Sequence, residues 1–81
     1  MSTKLSEEIH TKGGVVRRPR TIEEAIRLID QDLPVELRQL PRWTFARALL
    51  LEAQRSGTKR DMANAVRQLK QALSNEGWLD E

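Results

Sequence analysis

Two apolar runs, each closed by a glycine and separated by almost no linker, set the tightest limit on how this chain can fold. Thr58 opens one run and Gly77 closes it. Between them Met62, Ala65, Val66, Leu69, Ala72 and Leu73 recur at helical spacing. The preceding run extends from Trp43 to Ala53 and ends at Ser56-Gly57, a C-terminal helix stop. Two helices joined so tightly must pack on each other or share a partner. In the last helix, expected over 59–76, Thr58 is the cap. Asp61 lies in the first turn, where a carboxylate is favoured by the helix dipole. Gly77 suits the position just past the end, and Trp78 then falls where an apolar residue packs back on Leu73.

Upstream, Thr21-Ile22-Glu23-Glu24 has the form of a capping box, with Thr21 as cap and Glu24 reaching back. Ile22, Ala25, Ile26 and Ile29 line one face of a helix expected over 22–31, and Leu33-Pro34 ends it. A short helix over 35–40 follows, with Pro34 in its first turn and Val35, Leu37 and Leu40 on its apolar side. Pro41 ends that segment and opens a helix over 42–56, striped by Phe45, Ala46, Leu49, Leu50 and Ala53 and widened by Ala48 and Leu51. A helix apolar on several sides is the central one of its domain. The expected fold is therefore mainly α: a compact three- to four-helix domain over residues 21–81, preceded by a basic N-terminal arm or short β-hairpin over 1–20.

The charge is uneven. Residues 1–20 carry five basic and two acidic side chains, whereas 21–81 carry nine and ten. In the arm, Lys12-Gly13-Gly14-Val15 has the chemistry of a tight turn, flanked by Ile9 and Thr11 on one side and Val15 and Val16 on the other. A hairpin and a solvated arm are both compatible with that pattern, because two strands alone are marginally stable.

Several function classes lack their residues. The 81-residue chain has no cysteine and one histidine, which excludes a disulfide framework and a thiolate metal site. His10 has no fixed partner or pocket in its sequence neighbourhood, as a catalytic base requires. Asp30, Asp32 and Glu36 cluster around Leu33-Pro34, without the ligand loop or glycine of a calcium site. They read as a solvated connector. No glycine-rich phosphate loop and no Ser/His/Asp set is present. The reading is a non-enzymatic protein with no catalytic residue, no cofactor, no metal and no small-molecule substrate. Ala48-Leu49-Leu50-Leu51, the longest apolar stretch, falls far short of the roughly 20 residues that span a bilayer. With no signal-peptide core at the start, a cytoplasmic location without membrane association is expected.

Two binding readings remain. The first is a self-associating helical interaction module, a homodimer or a protein-partner adaptor with a regulatory role. Its contact surface would be lined by Trp43, Leu50, Leu51 and Trp78, because the central helix offers more apolar surface than its neighbours need. The second is nucleic-acid binding. Lys59, Arg60, Arg67 and Lys70 fall within about a 100° arc of the last helix, away from its apolar stripe. Arg17, Arg18 and Arg20 of the arm would join them. Ala63 and Ser74 lie in that arc, so nothing bulky interrupts it. Helix, tight turn and helix also resembles a helix-turn-helix, with Ala53 four residues before Gly57. Glu52 and Ser56 occupy positions that pattern wants apolar, and only Arg60 and Asn64 stand at the base-reading end.

Ile22-Glu23-Glu24-Ala25 with Leu28, Leu33-Pro34, the stretch Ala46 to Ala53, and Ala65 through Gly77 together resemble a family of small bacterial proteins catalogued only as a domain of unknown function (number 982). The resemblance covers roughly Val15 to Leu79. It departs at the break after the first helix, where Leu33 stands in place of a tryptophan. It implies an extended segment including Val15-Val16 before three helices, and it carries no activity or site residue.

Overall fold

The computed structural model of the protein describes residues 4–7, 9–13 and 18–80. Four α-helices follow one another: α1 Ile22–Arg27, α2 Val35–Arg38, α3 Pro41–Ser56 and α4 Lys59–Asn75. Helix α3 touches α1, α2 and α4, which makes it the central element expected from its apolar breadth.

The first helix begins as its capping residues dictate, because Thr21 Oγ1 accepts the Glu24 amide at 3.1 Å. The reciprocal bond differs from expectation. Glu24 Oε2 accepts from the amide of Arg20 at 2.8 Å, one residue before the cap, and so ties the arm to the helix. The α-helix is also shorter than its pattern suggests and widens into a π-helical turn over Leu28–Asp32. That wider turn accompanies burial of Leu28, Ile29 and Leu33 together, while Ile26 is only partly buried. The carbonyl of Asp30, in the middle of this turn, accepts from Arg38 Nη1 at 2.7 Å.

Helix α2 is a single turn with no buried residue, and Pro34 is its extended N-cap rather than a member of its first turn. Val35, assigned to the apolar side, is 52% exposed, and only Leu37 and Leu40 pack on the core. Pro41 then opens α3 as expected.

Helices α3 and α4 form an antiparallel pair across the two-residue turn Gly57-Thr58. The beginning of α3 meets the end of α4 through Arg42 and Glu76 (2.7 Å), and the end of α3 meets the beginning of α4 through Ser56 and Asp61. Gly57 holds a left-handed backbone, φ +69°, and its amide donates to the Ala53 carbonyl. A side chain there would strain the reversal. Trp43, Ala46, Leu50 and Ala53 on α3, and Met62, Ala65, Val66, Leu69, Ala72 and Leu73 on α4, form the core between them. The alanines on both stripes let the backbones approach closely. Phe45 was expected in the α3 stripe, but at 100° per residue it lies about 140° from Leu50, and it is 52% exposed. Trp43, one full heptad before Leu50, takes the core position instead.

The arm is not a solvated tail. Lys4 bridges Thr21 and Thr11 bridges Leu79, both antiparallel, and Leu5, Ile9, Thr11 and Pro19 are buried. The second half of the hairpin, including Val15-Val16, lies outside the described residues. Thr11 pairs with the C-terminal segment: Lys12 donates its amide to the Trp78 carbonyl, and Asp80 donates to the His10 carbonyl.

Helix α4 closes as its sequence predicts, the Trp78 amide donating to the Leu73 carbonyl at 2.8 Å and the Gly77 amide to Ser74 at 3.0 Å. The Trp78 indole packs against the core and over Gly13, where an added Cβ would stand 2.8 Å from Cδ1. A β-carbon at Gly57, by contrast, meets nothing within 4 Å. Gly57→Ala should therefore cost only backbone strain, about 1 kcal/mol. Gly13→Ala, also at positive φ (+70°), should cost about 2 kcal/mol or more because the indole must move as well. Urea unfolding of both variants measures the ranking, and equal losses would show that Trp78 does not rest on Gly13.

Candidate nucleic-acid interface

Helix α4 is divided lengthwise. Its inner stripe is buried, while Arg60, Ala63, Asn64, Arg67, Gln71, Ser74 and Asn75 are exposed. Only one carboxylate lies within the helix, at Asp61, and it is turned to the Gly57 corner. The Thr58 hydroxyl accepts the Asp61 amide at 3.2 Å, and the Ser56 hydroxyl donates to the Asp61 carboxylate.

Beside this helix runs a furrow walled on its far side by arm residues 4–7. Two recesses line it. One of about 330 Å³ lies between Ser6, Glu7, Ala63, Val66, Arg67 and Lys70. A second of about 550 Å³ reaches from Lys4 and Ser6 to Gly57, Lys59 and Met62. A separate recess of about 500 Å³, lined by residues 4–7 and Arg20 and by no residue of α4, lies elsewhere along the arm. Among the described residues the furrow thus gathers Lys4, Lys59, Arg67 and Lys70 with the carboxylate of Glu7. That carboxylate accepts from Lys70 Nζ at 2.8 Å and pins the arm to α4.

The structure unites Lys59, Arg67 and Lys70 at the furrow, places Arg60 on the outer face of α4, and sets Arg20 in the separate recess beside residues 4–7. Arg18 is exposed and lines none of these recesses. Arg17 lies outside the described residues. Sequence reasoning overlooked Lys4, which no motif marks. It also overlooked Gln71 and Asn75, which the spacing from Arg60 and Asn64 could have revealed.

The arginines of α3 behave differently, because each has a carboxylate: Arg42 with Glu76, Arg47 with Asp30, Arg55 with Glu52. Among the described residues no carboxylate pairs with Lys59, Arg60 or Arg67.

The proposed apolar contact set is broken up. Trp43 and Leu50 are wholly buried in a single copy and cannot line a surface, since both belong to its core. Trp78 is half-buried over Gly13, and Leu51 is 40% exposed. Phe45 is the exposed aromatic that the sequence reading had placed inside.

Asp30 is more than a connector residue. Arg47 donates to it through Nε at 2.8 Å and Nη2 at 3.1 Å, a two-pronged pair between the π-helical turn and α3. Those hydrogen bonds hold its carboxyl below the ordinary value of 3.8, burial opposes them, and the charges of Arg47 and Arg38 reinforce them. Among the described residues no group of three or more His, Asp or Glu is arranged to hold a metal ion, and no helix is long and apolar enough to cross a membrane.

Comparison with protein-family models, with curated proteins and with solved structures finds no match to this chain.

The Asp30–Arg47 pair makes a pH prediction. Because the folded carboxyl is held below its unfolded value, the pair contributes fully above that ordinary value and its contribution is lost as pH falls through the lowered one. Both side chains are about two-fifths exposed, so solvent screening limits the effect to about 0.5–1 kcal/mol. Urea unfolding at pH 7 and pH 3 should show the parent losing that much more stability on acidification than Asp30→Asn. Parallel losses would remove the pair from the acid response.

Proposed function

We propose that the chain is a non-enzymatic nucleic-acid-binding module that presents α4 and the adjoining furrow to a phosphate backbone. The supporting observation is the sorting of charge. The arginines of α3 are neutralised by neighbouring carboxylates, whereas among the described residues Lys59, Arg60 and Arg67 of α4 have no carboxylate partner, and Lys4 lies across the furrow from Lys59. Cations left unpaired on one face condense polyanions by releasing their counterions. Glu7 and Lys70 link the arm to the helix across the furrow. Fluorescence anisotropy with a mixed-sequence duplex across a salt series tests the reading. About four or five phosphate contacts give a slope of log affinity against log salt near −4. Lys59→Ala should reduce its magnitude by about 1. No binding at low salt would dispose of the proposal.

One observation favours a second reading, self-association. Phe45, Ala48 and Leu51 are all exposed on α3 at three-residue intervals, the outer two 52% and 40% so. Phe45 and Leu51 stand equally far from Ala48, so a two-fold antiparallel pairing centred on Ala48 sets each Phe45 against the other copy's Leu51. This face replaces the buried Trp43 and Leu50. A patch this small supports weak dimers only. Sedimentation equilibrium should find a dimer at high micromolar concentration that Leu51→Glu abolishes. A parent monomer throughout that range would eliminate the pairing.

A further inference from the structure

Resting on the nucleic-acid reading above, we propose that α4 enters the major groove of B-form DNA and reads base edges with Arg60, Asn64, Arg67, Gln71 and Asn75. These five residues are separated by four, three, four and four positions and all are exposed. At 100° per residue they occupy an arc of about 80°, opposite the buried stripe of Met62, Val66, Leu69 and Leu73.

Their chemistry is as consistent as their spacing. Arginine pairs two-pronged with the O6 and N7 of guanine, and asparagine and glutamine do the same with the N6 and N7 of adenine. Every long side chain on the stripe is one of these three types. Ala63 and Ser74, beside it, are small enough for close approach, and alanine suits a thymine methyl. The single carboxylate of the helix, Asp61, is held by Ser56 at the corner. A face built only to be soluble has no need to exclude acid along four turns in a chain with twelve acidic residues.

The cations sit where backbone contacts belong. Lys59 lies about 100° to one side of Arg60, toward the furrow whose far wall carries Lys4, and Lys70 on the same flank is held by Glu7 and seats the arm there. With α4 in the groove, that flank faces one phosphate strand. Phosphate contacts then fix the register and the stripe reads sequence. The 17-residue helix is about 25 Å long, and the major groove admits a helix across its roughly 12 Å width.

Other nucleic acids fit less well. A-form RNA has a major groove too deep and narrow for side chains to read. Single strands are held by stacking on aromatic rings, and no aromatic residue lies on the exposed face of α4 or lines the furrow.

The experiment is selection of random-sequence DNA duplexes on the full chain. Anisotropy then compares the selected duplex with a scrambled one at fixed salt, for the parent, Asn64→Ala, Gln71→Ala and Lys59→Ala. Both amide positions are exposed, and circular dichroism confirms that the variants remain folded. The expected result is an enriched motif of a few base pairs. Asn64→Ala and Gln71→Ala should each lower discrimination about 5- to 100-fold with the salt slope unchanged. Lys59→Ala should weaken both duplexes alike. Salt-dependent binding with no enriched motif would overturn base reading and leave phosphate binding standing. Tighter binding to single strands or duplex RNA would overturn the choice of B-form DNA. Failure to bind any duplex at low salt would overturn both readings.

Discussion

Close packing of α3 on α4 is the interaction on which the remaining structure rests. Gly57 reverses the chain in two residues with a left-handed backbone, and Ala46, Ala53, Ala65 and Ala72 are small enough for the helices to meet along their length. Trp43, Leu50, Leu69 and Leu73 fill the space this leaves. Were the turn longer or the alanines larger, neither α1 nor the arm would find a formed surface to cover. A domain of this size has little other apolar area from which to derive stability.

On that pair the rest of the chain acts as a clasp. The arm crosses from Thr21 to Leu79 and buries Leu5 and Ile9 on the way, so first and last segments are joined by backbone hydrogen bonds. Trp78 covers Gly13 and closes the C-terminal end of the same surface. Glu7 adds a link to Lys70 and so sets one wall of the furrow beside α4. Structure and candidate function share these residues: the contact that seats the arm also determines which lysines and arginines face one another.

Much of the helical order was legible because it is local. Thr21 and Thr58 cap, Pro41 opens and Gly57 and Gly77 stop helices through contacts within a few residues, and all appear where their neighbours place them. The π-helical turn was hidden, since an α-helical pattern and its wider variant share most of their apolar positions. The exchange of Phe45 for Trp43 was hidden for a related reason: α3 is apolar around much of its circumference, so its pattern alone does not say which side meets α4. Lys4 escaped notice as a furrow residue because its neighbours from Gly57 to Ala63 are more than fifty positions away in sequence.

What the amino-acid order determined by itself was where the helices start, where α3 and α4 stop, and the amphipathic direction of α4, because capping, proline geometry and periodicity act over one or two turns. Tertiary structure alone decided which apolar side chains remain outside and which cations remain unpaired. Both depend on contacts between residues distant in the chain, as when Asp30 engages Arg47 and Glu76 engages Arg42 while Arg60 and Arg67 meet no carboxylate.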